Sequence, residues 1–248
     1  MPRYKIEIQY DGTHYSGWQI QPNALSIQEK IEQTLYIFLR QQIKLVGAGR
    51  TDTGVHALGQ IAHFDYEKEL ESFRFIYAAN SLLPPDIRIL SCEKVSSDFH
   101  AQYCAQGKIY HYFFNFKPVQ LPFHRQYALH IPHAVNLDKL IQAKEFLIGT
   151  HDFTSFANSK MEGSVSKDPV RTIFRIDLIE EEGMHRLEFF GNGFLYKMVR
   201  NMVGTLLEVA DGKREPQDIK TILEKKDRKL AGKAAPPHGL FMIKVLYA

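Results

Sequence analysis

One glycine-rich segment carries the residue best suited to chemistry. The stretch Gly47-Ala-Gly-Arg-Thr-Asp-Thr-Gly-Val-His56 places the carboxylate of Asp52 two residues after Arg50 and among three glycines. Glycine lets a backbone approach a ligand closely, and a neighbouring arginine favours the ionised form of a carboxylate. An ionised carboxylate can act as a nucleophile, a base or a metal ligand. This segment, with Asp52 at its centre, is therefore the first candidate site.

Other interpretations of the same loop are possible. A dinucleotide-binding fingerprint requires glycine where Asp52 stands, and the phosphate-loop spacing of residues 49–54 is followed by Val55 instead of lysine. A metal ion would need further ligands, and His63 and Asp65 are the only sequence neighbours that offer them. Threonine, aspartate and glycine are also ordinary turn formers, so a simple turn explains this loop equally well.

A second candidate is an acid-free segment, residues 101–137. It contains no Asp or Glu and combines eight tyrosines and phenylalanines with Lys108, Lys117 and Arg125. Unpaired RNA bases stack on aromatic rings while basic side chains bind the phosphates, so this composition suits an RNA surface. Alternating aromatic residues in a strand also form cores, and we expect most of these phenylalanines to be buried.

The third candidate is residues 191–204, where a glycine-rich turn enters a helix. Arg200 lies there in an otherwise apolar stretch. An arginine in such a sequence must reach solvent or find an acidic partner. With no partner evident in the sequence, a surface position is the simplest interpretation of Arg200.

Composition limits the class of protein. The 248 residues carry a net charge of +3, which is too small to argue for a polyanionic partner. Two cysteines cannot build a disulfide framework or a four-cysteine zinc site, and the eleven histidines show no recurrent zinc spacing. We expect a cytoplasmic protein, neither exported nor membrane-spanning, because no signal core or long apolar stretch occurs.

Periodicity predicts the elements that must position these residues. Alternation over residues 4–10 indicates a strand, and Ser26 with Glu29 three residues later indicates the start of a helix. Further strands are predicted at 43–46, 60–66 and 87–95, and a second helix at 73–82. The order βαββαβ is typical of a ferredoxin-like or RRM-like domain, an antiparallel sheet with both helices on one face.

A comparable, longer series follows. It comprises strands at 108–116, 125–131, 170–180, 185–190 and 240–247 and helices at 137–148, 194–209 and 217–226. The expected fold is therefore α+β, with two ferredoxin-like domains, residues 1–105 and 106–248, whose antiparallel sheets join around a central catalytic cleft. Residues 163–169 and 225–237 are predicted to be mobile loops.

Several motifs occur in order along nearly the whole chain. Beside residues 49–56 they are Tyr10-Asp-Gly-Thr-His-Tyr-Ser-Gly-Trp-Gln19, Phe99-His-Ala101, Lys108-Ile-Tyr110 and Met198-Val-Arg-Asn201. Together they closely resemble the TruA family of tRNA pseudouridine synthases. A turn alone does not account for this set of motifs, so the resemblance favours a catalytic Asp52.

The resemblance implies roles for particular residues. Asp52 would be the nucleophile, attacking either the ribose or the ring, with Arg50 beside it. Tyr110 would pack against the target base and Arg200 would pair with the catalytic carboxylate. Neither a cofactor nor a metal would be required. An RNA uridine must leave its stack before a side chain can reach it, which explains the need for an aromatic surface.

The resemblance also implies a substrate and a partner. The expected substrate is the anticodon stem-loop of several tRNAs, at positions 38, 39 and 40, and the expected assembly is a homodimer. Gln102 and His111 stand where the family commonly has basic residues, which puts the detailed RNA path in doubt. The alternatives are a non-catalytic RNA-binding protein, a synthase acting on other RNA positions and a metal-dependent phosphoesterase.

Overall fold

The computed structural model describes residues 1–158 and 168–248. These residues divide into two compact units, one formed by 1–106 with 241–248 and the other by 107–240. Of the predicted loop at 163–169, residues 163–167 lie outside the described part. Among the helices of the described ranges, none is long and apolar enough to cross a membrane.

The helices and strands follow the predicted order, with one further strand, Gly149–Asp152, that we did not predict. The first part of the chain forms β1 (Arg3–Tyr10), α1 (Ile27–Leu39), β2 (Val46–Gly47), β3 (His56–Asp65), α2 (Ser72–Leu82) and β4 (Ile87–Val95). The second part forms β5 (Gly107–Asn115), β6 (Leu129–His130), α3 (Leu137–Glu145), β7 (Gly149–Asp152), β8 (Val170–Glu181), β9 (Met184–Gly191), α4 (Met198–Ala210), α5 (Asp218–Lys225) and β10 (Leu240–Leu246). The prediction of βαββαβ for the first series is confirmed.

The sheet of the first unit is mixed, which corrects the prediction of a purely antiparallel sheet. Strands β4, β1 and β3 are antiparallel neighbours. The short β2 pairs with β3 only at residues 62–63, while β10 pairs in parallel with its residues 56–57. Because β2 leaves most of that edge of β3 open, the closing strand of the chain pairs there instead of completing the second unit, to which we had assigned it.

Both helices of the first unit meet in one aromatic cluster. Phe75 of α2 lies 5.8 Å from the ring of Phe64 in β3 and 5.7 Å from Phe38 of α1. The apolar face of α1, with Ile27, Ile31 and Leu35, is fully buried. These contacts place α1 and α2 on the same face of the sheet, as the sequence pattern predicted.

The strands of the second unit also pair in both directions. Strands β5, β9, β8 and β7 are antiparallel neighbours, and β6 pairs with β5 in parallel. The predicted strand at 125–131 is reduced to β6, because residues 122–124 form a short 3-10 helix. The fold is thus α+β with one large mixed sheet, not the two antiparallel sheets that we predicted.

Residues 226–237, most of the segment that we predicted to be a mobile loop at 225–237, pack against α4. The backbone N–H of Gly232 donates to the hydroxyl of Thr205 at 2.9 Å, and Ala231 and Ala235 are buried. A Cβ on Gly204 would stand 1.8 Å from the carbonyl oxygen of Lys233. The low apolar content of this segment is therefore offset by close backbone packing on the helix.

Replacing Ser26 with alanine is expected to lower the free energy of unfolding by about 1 kcal/mol. The buried Ser26 hydroxyl accepts from the N–H of Glu29 at 3.2 Å, and alanine leaves that N–H unsatisfied at the start of α1. Urea unfolding measures the change. Ser97→Ala is the control, because Ser97 is exposed. Equal stability of the two variants would contradict the prediction.

Candidate functional site

The loop between β2 and β3 presents Asp52 at a tight turn. Asp52 is half-buried and Arg50 is exposed. The N–H of Val55 donates to the carbonyl of Asp52 at 3.1 Å, and Gly54 within this turn has a φ of +75°. A positive φ at the third position of a turn favours glycine. Asp52 is therefore the first residue of a turn, and forming a turn does not exclude a catalytic role for it.

The start of the loop is anchored to β3. The N–H of Ala48 donates to the carbonyl of Ile61 at 2.7 Å. The side-chain amide of Gln60 donates to the carbonyl of Gly49 at 2.8 Å. Gln60 is fully buried, so this bond is shielded from water. The loop therefore leaves the sheet in a fixed direction two residues before Arg50.

Residues 11–18 hold the loop from the opposite side. The N–H of Trp18 donates to the carbonyl of Thr51 at 3.1 Å, and the N–H of Gly54 donates to the carbonyl of Tyr15 at 3.3 Å. Backbone hydrogen bonds thus fix the residues on both sides of Asp52. The motif at 10–19 suggested family membership in the sequence, and its structural role is to fix this loop.

Two glycines make this close approach possible. A Cβ on Gly12 would stand 2.0 Å from the carbonyl oxygen of Val55, and one on Gly17 would stand 2.4 Å from that of Thr51. Real side chains do not reach such distances, and Gly17 also has a φ of +88°. Only glycine fits at these two positions without displacing the loop.

Buried aromatic residues complete the support of the loop. The hydroxyls of Tyr10 and Thr51 lie 2.8 Å apart, and burial raises the pKa of Tyr10 well above its usual range, so the hydroxyl stays protonated. The indole of Trp18 is buried against Gly47, where a Cβ would stand 2.6 Å from Nε1. Sequence analysis assigned no role to these aromatic residues, although both belong to the motif at 10–19.

His56, the last residue of the glycine-rich segment, is also structural. Its ring is buried and stacks on Phe241 of β10 with centroids 4.5 Å apart. The N–H of Gly12 donates to its Nδ1 at 3.1 Å. His56 therefore ties the end of the loop to the closing strand and to the segment that carries Gly12.

The two neighbours that we considered as metal ligands have other partners. His63 is buried, and its Nδ1 accepts from the N–H of Ala101 at 3.1 Å. Burial, with a smaller contribution from the charge of Arg3, lowers the pKa of His63 to about 4. Asp65 forms a two-armed ion pair with Arg3, each bond 2.8 Å long. Both side chains thus serve the structure of the first unit.

Tyr110 lies on β5 in the second unit, among aromatic residues. It is opposite Phe189 of β9, and its ring meets that of Phe194 edge-on with centroids 5.1 Å apart. Only 7% of Tyr110 is exposed. The ring therefore has a fixed orientation, as a surface for holding a base would require.

Arg200 lies on α4, also in the second unit, and its guanidinium is held by backbone. Its Nε donates to the carbonyl of Ala235 at 2.7 Å, and the N–H of Ala235 donates back to the carbonyl of Arg200 at 2.9 Å. The hydroxyl of Tyr112 donates to the next carbonyl, that of Pro236, at 2.8 Å. Sequence analysis considered solvent or an acidic partner for Arg200 and did not foresee this carbonyl.

The neighbouring residue Asn201 cross-links three segments. Its buried side chain donates to the carbonyl of Phe156 at 2.6 Å and to the amide oxygen of Asn158 at 2.9 Å. Its own oxygen accepts from Arg228 at 2.8 Å. This network fixes the rotation of α4 and with it the direction of Arg200.

The sequence of the chain matches known proteins over most of its length. The family model described as "tRNA pseudouridine synthase" matches residues 6–104 and 143–248. The chain is 52% identical over 245 residues to tRNA pseudouridine synthase A 1 of Protochlamydia amoebophila, covering 98% of this chain and 96% of the relative. It is 46% identical over 247 residues to tRNA pseudouridine synthase A of an Exiguobacterium species, covering 100% and 98%.

A third relative, tRNA pseudouridine synthase A of Bacillus pumilus, is 43% identical over 99% of both chains. The crystal structure of a Cbf5-Nop10-Gar1 complex superposes with a TM-score of 0.35 at 15% identity, over 83% of this chain and 54% of that chain. That similarity carries no argument, but the family model and the three relatives show the class: the chain is a pseudouridine synthase, an isomerase. Within it, this chain belongs to the TruA family of tRNA pseudouridine synthases.

Replacing Gly12 with alanine is expected to destabilise the first unit by roughly 1–3 kcal/mol, the usual range for overpacking. The added methyl group would overlap the carbonyl of Val55, so the loop that carries Asp52 must shift. Thermal unfolding measures the change. His14→Ala is the control, because His14 is exposed in the same segment. A Gly12 variant as stable as this control would show that the contact is unimportant.

Proposed function

We propose that this chain converts uridine to pseudouridine at positions 38, 39 and 40 of the tRNA anticodon stem-loop, with Asp52 as the nucleophile and without a cofactor. The observation that carries the proposal is the half-buried carboxylate of Asp52 on a loop fixed at both ends by backbone hydrogen bonds. Membership of the TruA family supports the reaction class. The positions follow from the resemblance of its motifs to that family.

The reaction explains why rigid placement matters. The bond between C1′ of the ribose and N1 of uracil breaks, the base turns, and a new bond forms between C1′ and C5. The proton lost from C5 is balanced by the one gained at N1, so the product is an isomer. No redox partner is consumed. Catalysis must therefore come from the positioning of the uridine against the nucleophile and from charged side chains that are in place before the reaction begins.

Each further residue has a proposed role. Tyr110 holds the extruded uracil, which its aromatic face can stack against. Arg200 supplies a fixed positive charge for the reaction, and Arg50 contacts the RNA beside Asp52. The fixed orientations of Tyr110 and Arg200 within the second unit support these assignments.

Asp52→Asn is expected to lower the rate of pseudouridine formation by at least about a thousandfold, because the amide keeps the shape of the side chain but is a poor nucleophile. Binding of tRNA should be unchanged or tighter, since a negative charge is removed near a polyanion. Release of tritium from tRNA labelled at C5 of uridine measures the rate.

Asp98→Asn is the matched control, because Asp98 is exposed in the same unit. A wild-type protein that binds tRNA but forms no pseudouridine would support the RNA-binding alternative. Loss of tritium release in the presence of a chelator would show that the reaction needs a metal ion, as the alternative of a metal-dependent phosphoesterase requires. A fully active Asp52→Asn variant would overturn the role of Asp52.

Arg200→Ala is expected to lower kcat by about 10²–10³-fold, the usual effect of removing one preorganised electrostatic contact. The tRNA dissociation constant should change much less.

Tyr112→Phe tests whether the segment that holds Arg200 matters for catalysis. The variant loses the hydrogen bond to Pro236 and loosens the segment that holds the guanidinium, so kcat should fall by a smaller factor. Single-turnover kinetics separates these effects from binding. Equal losses in kcat and in affinity would contradict the role of Arg200.

We also propose a homodimer in the cytoplasm. Both cysteines are free thiols, Cys92 buried and Cys104 exposed, and an exposed free thiol suits a reducing compartment. The dimer rests on the family resemblance, and sedimentation of the purified protein would settle the number of subunits.

A further inference from the structure

We propose that Lys108 and Arg171 form a binding site for a phosphate of the RNA backbone, next to Tyr110 in the second unit. The inference rests on the proposed function, since it takes tRNA as the ligand. It adds a pair of residues that the sequence did not link: Lys108 lies in the acid-free segment and in the motif with Tyr110, and Arg171 lies more than sixty residues further along the chain.

Strand register places the two cations on one face of the sheet. Lys108 of β5 lies opposite Gly191 of β9, which lies opposite Ile173 of β8. Residues opposite one another point to the same face, as do residues two apart in a strand. Arg171 therefore shares this face with Lys108, and so does Tyr110, two residues along β5.

The turn after β9 connects this face of the sheet to the aromatic residues around Tyr110. The ring of Phe194 contacts Tyr110 edge-on. It also stands 3.3 Å from the point where a Cβ of Gly191 would lie, and glycine leaves room for it. Lys108, Tyr110 and the glycine between the two cations thus belong to one continuous patch.

The charged form of Lys108 is disfavoured in the folded protein. Burial, and then the charge of Arg171, lower the pKa of Lys108 to about 8. Burial also lowers the pKa of Arg171, while the carboxylate of Asp168 partly opposes this. A phosphate bound at the two side chains would favour their charged forms, because a nearby anion raises the pKa of a cation.

Arg171 is also held in place. Its Nη1 donates to the carbonyls of Asp168 at 3.0 Å and Val170 at 2.5 Å. The N–H of Val170 in turn donates to the carboxylate of Asp168 at 2.9 Å. These bonds fix the guanidinium to the first residues of β8. A preorganised guanidinium loses less conformational freedom when it binds a phosphate.

An RNA phosphate is the ligand that best fits this place. The patch adjoins the tyrosine proposed to hold an extruded base, and a flipped nucleotide brings its flanking phosphates with it. Phosphate contacts fix the position of an RNA on a protein without reading its sequence. The pair would therefore help to align the stem-loop and would not choose among bases.

The salt dependence of tRNA binding tests the proposal, with full-length protein and an unmodified anticodon stem-loop RNA as the probe. Lys108→Met and Arg171→Gln should each reduce the slope of log Kd against log salt by about one unit, the effect of losing one phosphate contact. Lys108→Arg should keep the wild-type slope. Lys220→Met is the matched control, because Lys220 is exposed on α5 of the same unit.

Thermal unfolding separates binding from a structural role. Because the folded protein disfavours a charged Lys108, Lys108→Met should have a melting temperature equal to or above that of the wild type while binding RNA more weakly. A lower melting temperature together with an unchanged slope would show that Lys108 serves the fold.

Unchanged slopes in both neutral variants, with wild-type binding intact, would overturn the phosphate site and leave the proposed function standing. A wild-type protein that does not bind tRNA would instead overturn the proposed function.

Discussion

The position of Asp52 depends on a contact between two stretches of backbone. Residues 11–18 and the loop after β2 approach so closely that Gly12 and Gly17 have no room for a side chain. Two hydrogen bonds join the stretches across this contact. Because these hydrogen bonds join backbone atoms, the shape of the loop does not depend on its exposed side chains. The carboxylate at its turn is thus placed before any substrate arrives.

Arg200 depends on the same kind of contact in the second unit. The chain after α5 crosses α4 at Gly204, where even a methyl group would overlap the carbonyl of Lys233. Two residues further on, Ala235 exchanges hydrogen bonds with Arg200 through its backbone. Gly204 thus lets the chain come close enough to α4 for the carbonyl of Ala235 to accept a hydrogen bond from the guanidinium of Arg200. In both units, backbone contacts fix the segment that carries a candidate site residue.

Periodicity and capping predicted most helices and strands, because burial dictates these patterns locally. The start of α1 at Ser26 and the bounds of β4 follow from such local signals. Pairing between distant segments has no local signal. The place of β10 beside β3 depends on how short β2 is, and the carbonyl partner of Arg200 lies 35 residues further along the chain. The motifs identified Asp52, Tyr110 and Arg200 as candidates, but not the backbone that fixes them.

The start of α4 shows where a local pattern predicts the wrong helix boundary. Apolar spacing predicted a helix from residue 194, whereas the helix begins at Met198, after Lys197 with a φ of +59°. Arg40 and Lys226 share this conformation, but they end helices, where a left-handed residue is common. Lys197 precedes a helix, and it has a side chain that disfavours this backbone by about 1 kcal/mol or more.

The left-handed Lys197 separates the turn that carries Phe194 from the helix that carries Arg200. Phe194 contacts Tyr110, so a continuous helix from residue 194 would remove the ring from its place beside that tyrosine. Lys108 and Arg171 share a face of the sheet with that tyrosine, by strand register. A left-handed residue and partly desolvated cations are features that cluster at binding sites, and they support the proposed place for an extruded nucleotide.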